Sequence, residues 1–552
     1  MNPKTLLIPL LPCSLAAASC QHNPREAQKP NIIVILSDDM GFSDLSCYGS
    51  EISTPNLDAL AEQGVRFNQF YNCARSCPTR ASLLTGLYPH QAGVGYMTEK
   101  LGNTSAYQGF LRDDRKTIAE MLQTQGYTTL HVGKWHVGTP ANGVMPCSRG
   151  FERGWSPVGR VNYWNTDRVY EDGEVRGLNE NEKGYLTDVT GDKAIEYIEY
   201  ATGKDNPFFL YLALNAAHWP LHAKPEDIEK YRGKFMKGWD RLREERIHRI
   251  DSIGLVPAME AGLIRDKEVP AWTDYPEADT YAGYHSMISG KHDQDDWDLK
   301  MSIYAAQIES MDKQIGRIIE TLKKKGIFEN TIILYMQDNG GCAEGIGKEE
   351  EVAPGGADSY NAYSLPWAYL SNTPFRNFKH FLHEGGISTP LIASWPKGIL
   401  DERKGAIEKE SFGHIVDILP TCLAAAGGNT ENLSYAVEGE NLLEVINGKE
   451  ENSDRTIYWE HEGNRAVRKG EWKLVSRYPD DILFFEKWEF PRAPRTQEWE
   501  LYNIKTDRWE LKECSSANPE TTESLKQLYL DWEVKAGALP RREIISGSAI
   551  KF

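Results

Sequence analysis

Three continuous apolar runs stand out along the chain: Ile32–Leu36, Phe208–Leu212 and Thr331–Met336. Runs this short, without polar alternation, suit strands buried on both faces, as in a parallel sheet covered by helices. Each ends in polar residues: Ser37, Asp38 and Asp39 after the first, Asn215 and His218 after the second, Gln337 to Gly340 after the third. Asp and Asn open turns wherever they fall. Three such endings together point instead to a shared site, because ligands gather outside the carboxyl ends of parallel strands. Helical periodicity fills the intervals. Thr54 and Pro55 start a helix that faces Leu57, Leu60 and Ala61 inward and stops at Gly64. Met311, Ile315, Ile318 and Leu322 line one face of a second, which Gly326 ends. The stretch from Trp239 to Ala278 reads as a charged, proline-punctuated insertion with one helix, Leu242 to Ile250, whose charge run is a solvated face. Beyond about residue 450 the texture changes. Ile457–Trp459, Arg465–Arg468, Trp472–Val475 and Glu500–Asn503 are short strand-like pieces, followed by a helix near Glu523–Lys535. The expected fold is α/β: a mostly parallel sheet flanked by helices, then a smaller C-terminal antiparallel sheet.

Composition narrows the function. Of 552 residues, 26% are charged and 40% hydrophobic, which excludes a disordered or multi-span membrane chain. A net charge of −18 argues against a generic nucleic-acid binder. It leaves room for an anionic small substrate, since screening over about 8 Å lets a local cationic pocket act. Near the start, Lys4 precedes Leu6–Leu11 and Leu15–Ala18, too short a stretch to span a bilayer and suited to an export signal. Ala17-Ala18-Ser19-Cys20 resembles a bacterial lipoprotein cleavage box with Cys20 acylated. Residues 1–20 are therefore expected to be a signal peptide and 21–30 a tether. The expected location is the periplasm or cell envelope, with membrane contact only through that lipid anchor. The remaining cysteines are scattered and odd in number, with no disulfide framework.

Two segments carry chemistry. In Arg75-Ser76-Cys77-Pro78-Thr79-Arg80, Pro78 fits the first position of a helix closing at Gly86. Ser76 then sits just before a helix N-terminus, where backbone N–H groups favour an anion, and Arg80 adds a permanent cation. In Gly126–His136, a strand runs into Gly133 and then presents Lys134, suited to an oxyanion, and His136, suited to moving a proton. Alone, each is equally a turn with solvated side chains.

Together these segments resemble the two signature motifs of the formylglycine-dependent sulfatases, of the arylsulfatase type. The first is Ser76-x-Pro78-x-Arg80 with Leu83-Leu84-Thr85-Gly86. The second is Gly126-Tyr127-x-Thr129 with Gly133-Lys134-Trp135-His136 downstream. Asp38-Asp39-Met40-Gly41 and Asp338-Asn339-Gly340 look like the family's metal motifs, Ala217–His222 like its middle histidine element, and Arg376–Lys379 like its late lysine element. The resemblance covers residues 30 to 520. It implies an alkaline-phosphatase-like core, with a catalytic domain over 31–450 and a C-terminal subdomain over 451–552. It also implies that Ser76 is oxidised to formylglycine and hydrated to a geminal diol. One calcium would be held by Asp38, Asp39, Asp338, Asn339 and residue 76, and Arg80, Lys134, His136, His218 and Lys379 would line the sulfate. A diol oxygen would attack sulfur, His218 would protonate the leaving alcohol, and His136 would take the second diol proton to expel sulfate. Serine at position 76 is typical of members matured by an anaerobic radical enzyme, which implies an anaerobic bacterial host.

The substrate expected is a sulfated saccharide, with a terminal sulfated galactose as the first choice. Arg75 and Glu344 are candidates to bind its hydroxyls, and Trp219 to stack on a sugar face. Two other classes compete. A phosphatase or phosphodiesterase of the same superfamily would need a second metal site, of which the motifs show no sign. A sugar-binding homologue without catalysis would not need the complete set of matched positions.

Overall fold

The computed structural model describes residues 28–98, 101, 104–259, 269–273, 293–344, 352–449, 454–478 and 498–546. The expected leader, most of the expected tether, and residues 260–268 and 274–278 of the Trp239–Ala278 stretch lie outside the described residues. The main sheet has eleven strands. In chain order they are β1 (Asn31–Ser37), β2 (Gly64–Tyr71), β3 (Thr128–Gly133), β4 (Arg153–Val158), β5 (Arg168–Glu171), β6 (Glu174–Gly177), β7 (Phe208–Ala213), β8 (Thr331–Gln337), β9 (Ser388–Ser394), β10 (Ile407–Glu408) and β11 (Gly413–His414). Their spatial order is β10-β2-β9-β8-β1-β7-β3-β4-β5-β6, with β11 beside β2.

The three apolar runs become the three central neighbours, β8, β1 and β7, all parallel. Each is buried along its length apart from half-buried Asn31, as strands covered on both faces must be. Parallel β3 and β4 extend one side, while β9 runs antiparallel to both β8 and β2. The expected α/β class therefore holds, with a mixed, mostly parallel sheet.

One face of the sheet is covered by the 31-residue helix Gln294–Lys324, by Leu186–Thr202 and by Pro55–Glu62, which share a large apolar cluster with Ile33, Ile35 and Leu210. The other face packs under Ser76–Thr85, Ile118–Thr124 and Ile418–Ala425. A second sheet is antiparallel, with strands β12 (Thr456–His461), β13 (Asn464–Lys469), β14 (Trp472–Ser476) and β15 (Glu500–Asn503), and the helix Pro519–Ala536 packs on it. No helix among the described residues is long and apolar enough to cross a membrane.

Two expectations need correction. The helix bearing Ser76 begins at Ser76 itself, with Arg75 as its extended N-cap, so Pro78 stands third rather than first. The charge run of helix Gly238–Ser252 is only partly a solvated face. Arg241 and Glu244 are exposed, but Arg246 is fully buried between Asp44 and Glu51, and Arg243 reaches the carbonyls of Tyr369 and Pro374.

Candidate active site

The carboxyl ends of the central strands do converge. Asp38 and Asp39 leave β1, Asp338 and Asn339 leave β8, and His218 follows β7. The Asp39 amide donates to Asp338 Oδ1 at 3.3 Å, and Asn339 Nδ2 donates to Asp39 Oδ1 at 2.8 Å, so the acidic groups share one pocket. β3 delivers Lys134 and His136 beside them. The close approach of β3 and β7 requires Gly133 (φ +110°), where a Cβ would lie 1.9 Å from the Ala213 carbonyl oxygen. Lys134 Nζ donates to Asp38 Oδ2. Lys379, from the loop before β9, donates to Asp39 Oδ2 at 2.9 Å.

The Ser76 hydroxyl stands between a cation and an imidazole. Arg80, one turn along the helix, donates from Nε to Ser76 Oγ at 2.9 Å and from Nη2 to Asp338 Oδ2 at 2.7 Å. His136 Nδ1 lies 3.3 Å from the same hydroxyl, and Ser76 is only 3% exposed. On the far side, His218 Nε2 is 3.5 Å from Asp39 Oδ2, and its Nδ1 bonds the Trp219 carbonyl at 2.6 Å. That second contact orients the ring with Nε2 toward the acidic pocket.

Electrostatics separate these groups. Burial and the neighbouring Asp338 push the Asp38 carboxyl up to about 7. Burial acts on Asp39 too, but His218 and Lys379 outweigh it and hold that carboxyl well below the usual range. Burial brings His218 down to about 4 against the pull of Asp39, and holds His136 well below its ordinary value with help from Lys134 and Arg80.

The donor set suits a hard cation. Asp38 Oδ1 and Asn339 Oδ1 are buried with no hydrogen-bond partner, and Asp39 and Asp338 stand beside them. Buried carboxylate and amide oxygens left without donors are what calcium takes as ligands. Ser76, Lys134, His136, His218 and Lys379 line a cavity of about 530 Å³, together with Arg75, Glu344 and Trp219. Arg75 Nη1 donates to Glu344 Oε1 at 2.9 Å, and Trp219 Nε1 donates to Glu344 Oε2 at 2.8 Å. The sequence therefore named a contiguous set. It missed His380 and Glu462: His380 contacts both Arg75 and Glu344 (3.1 Å from Glu344 Oε1), and Glu462 Oε2 holds His380 Nδ1 at 2.8 Å. His380 follows Lys379 directly, the one signal in the sequence that places it here.

A nucleophile-sized hydroxyl under an arginine, beside an acidic cation pocket at the head of a parallel sheet, defines a hydrolase of anionic esters. The sulfatase family model matches residues 30–428, and the chain belongs to that family of sulfuric ester hydrolases. It is 33% identical to the arylsulfatase of Klebsiella aerogenes over 77% of this chain and 92% of that protein. It is 27% identical to an N-acetylgalactosamine-6-O-sulfatase of Bacteroides thetaiotaomicron, over 96% and 99% respectively. Among solved structures, Ps i-CgsB in complex with k-i-k-neocarrahexaose aligns with TM-score 0.62 and 26% identity, covering 92% of this chain and 93% of that one.

Proposed function

We propose that the protein hydrolyses sulfate esters of carbohydrates, with Ser76 matured to formylglycine and one calcium held by Asp38, Asp39, Asp338, Asn339 and residue 76. The observation that carries the reading is the placement of the Ser76 hydroxyl, 2.9 Å from Arg80 and 3.3 Å from His136, beside the partnerless oxygens of Asp38 and Asn339. The hydroxyl stands where an oxygen of the matured residue would be. Calcium would supply a fixed double positive charge against the sulfate oxygens, and the matured side chain a nucleophile whose sulfate ester collapses without separate hydrolysis.

The chain's own residues do the rest. Arg80, Lys134 and Lys379, all largely buried, offset the sulfate charge, and contacts shielded in this way are strong. His136, at Nδ1, is placed to take a proton from residue 76. His218 is placed to give one from Nε2 to the leaving sugar oxygen, and the negative sulfate favours its protonated form. Arg75, Glu344 and Trp219 form the wall where the sugar would sit, Trp219 offering an apolar ring face. The two similar proteins that act on or bind sugars support a saccharide, with terminal sulfated galactose still the first choice. The same reading includes an anaerobic radical maturation enzyme acting on Ser76 and a lipid-anchored periplasmic location given by residues 1–20.

Sulfate release from a panel of defined sulfated sugars, with the matching phosphate esters as controls, tests the substrate class. Protein made with only the oxygen-dependent, cysteine-specific maturation route should be folded and nearly inactive, and Ser76→Cys should restore turnover there. Ser76→Ala should be inactive in every host. Near-native turnover by Ser76→Ala would remove the basis of the mechanism.

A further inference from the structure

Behind the Arg75–Glu344 wall lies a second cluster of metal-ligating side chains, outside the acidic pocket. His380 comes from the loop after Lys379, while His461 and Glu462 come from the end of β12 and the turn into β13. All three are buried, His461 completely. One ligand atom from each lies within 4.8 Å of the others.

The bonding within the cluster is incomplete. Neither ring nitrogen of His461 has a hydrogen-bond partner, and Glu462 Oε1 has none either. These two groups face each other, with His461 Nε2 3.6 Å from Glu462 Oε1, too far for a hydrogen bond. Buried polar atoms in folded proteins are satisfied by protein, water or an ion. Here one nitrogen of His461 and Glu462 Oε1, both without partners, lie with one ligand atom of His380 in one small volume.

We propose that His380, His461 and Glu462 bind a transition-metal ion of the zinc class, with water completing a four-coordinate shell. Two imidazole nitrogens and one carboxylate suit zinc and its neighbours, whereas calcium takes six to eight oxygens. The surroundings agree. His380 Nδ1, 2.8 Å from Glu462 Oε2, faces the cluster, and its Nε2 faces Glu344 Oε1 at 3.1 Å. A carboxylate on the far nitrogen is how proteins orient metal-binding imidazoles. Arg75 contacts that same Nε2 and pairs with Glu344 at 2.9 Å, while Arg541 donates only to the Glu462 backbone carbonyl at 2.7 Å, so the Glu462 carboxylate remains the cluster's own anion. The ion ties the Lys379 loop to the smaller sheet, so it fixes the sugar wall from behind and takes no part in the ester chemistry.

The site is testable without a substrate. Full-length protein is equilibrated with zinc in excess calcium, desalted, and its zinc content measured. About one zinc per chain is expected for the wild type and for Asp39→Asn, which disables only the acidic pocket. His461→Ala and Glu462→Gln, each checked for fold by circular dichroism, should retain at least tenfold less. Cobalt(II) should give the intense visible bands of a nitrogen-bearing four-coordinate site in the wild type. Zinc retention unchanged in Glu462→Gln and His461→Ala, loss of zinc on Asp39→Asn alone, or only weak six-coordinate cobalt bands would each overturn the proposal. So would wild-type protein that holds no zinc, which would leave the cluster to water.

Discussion

Residue 218 shows how closely position and role are tied in this site. The imidazole is held at Nδ1 by the next residue's carbonyl, so only Nε2 can face Asp39 and whatever occupies the cavity. A proton donated from there matters in proportion to how badly the leaving oxygen needs it. His218→Ala should cost an alkyl or sugar sulfate at least about 100-fold in kcat, but an activated aryl sulfate under about tenfold. Equal losses on both esters would reduce His218 to holding sulfate. The sugar wall makes a parallel claim. Arg75→Ala or Glu344→Ala should lower kcat/KM on the true glycan by about tenfold or more and leave an aryl sulfate nearly unchanged. Single residues were legible in the sequence wherever a motif fixed their spacing, as for Ser76, Arg80, Lys134 and His136. Glu462 was not, and His380 only through its place after Lys379, because His380 takes its meaning from contact with residues 75 and 344 and Glu462 from contact with His380.

At the scale of elements, periodicity read the sheet well because burial on both faces leaves a plain signature. The runs at 32, 208 and 331 became β1, β7 and β8, side by side. Helix Gly238–Ser252 was read less well. Its arginines have the density of a solvated face, and nothing within the segment reveals that Asp44 and Glu51 wait for Arg246 some 200 residues away. That pairing predicts a large stability effect. Asp44 also accepts from the Gly41 amide and the Tyr304 hydroxyl, so it stays buried whatever happens to its cation. Arg246→Met should destabilise the fold by about 3–5 kcal/mol, because an uncompensated buried carboxylate remains. A lowered thermal midpoint, partly restored by adding Asp44→Asn, is the expected observation.

The molecule as a whole is two sheets joined by a shared apolar cluster, in which Tyr71 and Ile387 meet Trp459 and Leu474, and by buried charge. Lys473 of β14 is fully buried against Glu384, 2.9 Å away, and Glu510, 2.8 Å away, and Arg508 reaches Glu384 at 3.1 Å. Burial alone would raise the Glu384 carboxyl, yet Lys473 and Arg508 hold it at about 2, below its ordinary 4.5. A depressed folded-state value stabilises above the unfolded value and loses that contribution as pH falls toward the folded one. The thermal-midpoint gap between wild type and Glu384→Gln should therefore be full from pH 8 to about 5 and narrow below about 4.5. A gap independent of pH would mean that Glu384 acts through packing.

The first central strand to be synthesised is β1, but both strands that flank it come far later, β8 some 300 residues on. At about 5–20 residues per second, synthesis needs roughly 15–60 s to supply that partner. β7 can cover one edge of β1 after residue 213, but for that interval the other edge stays open, a form that invites pairing with other chains. The two halves of the acidic pocket, near residues 38 and 338, stay apart for just as long. The sheet can start on the β7 edge once residue 213 has been made, but the acidic pocket cannot assemble before residue 338 has been made, so whatever keeps the chain soluble must act before any of its own ligands can help.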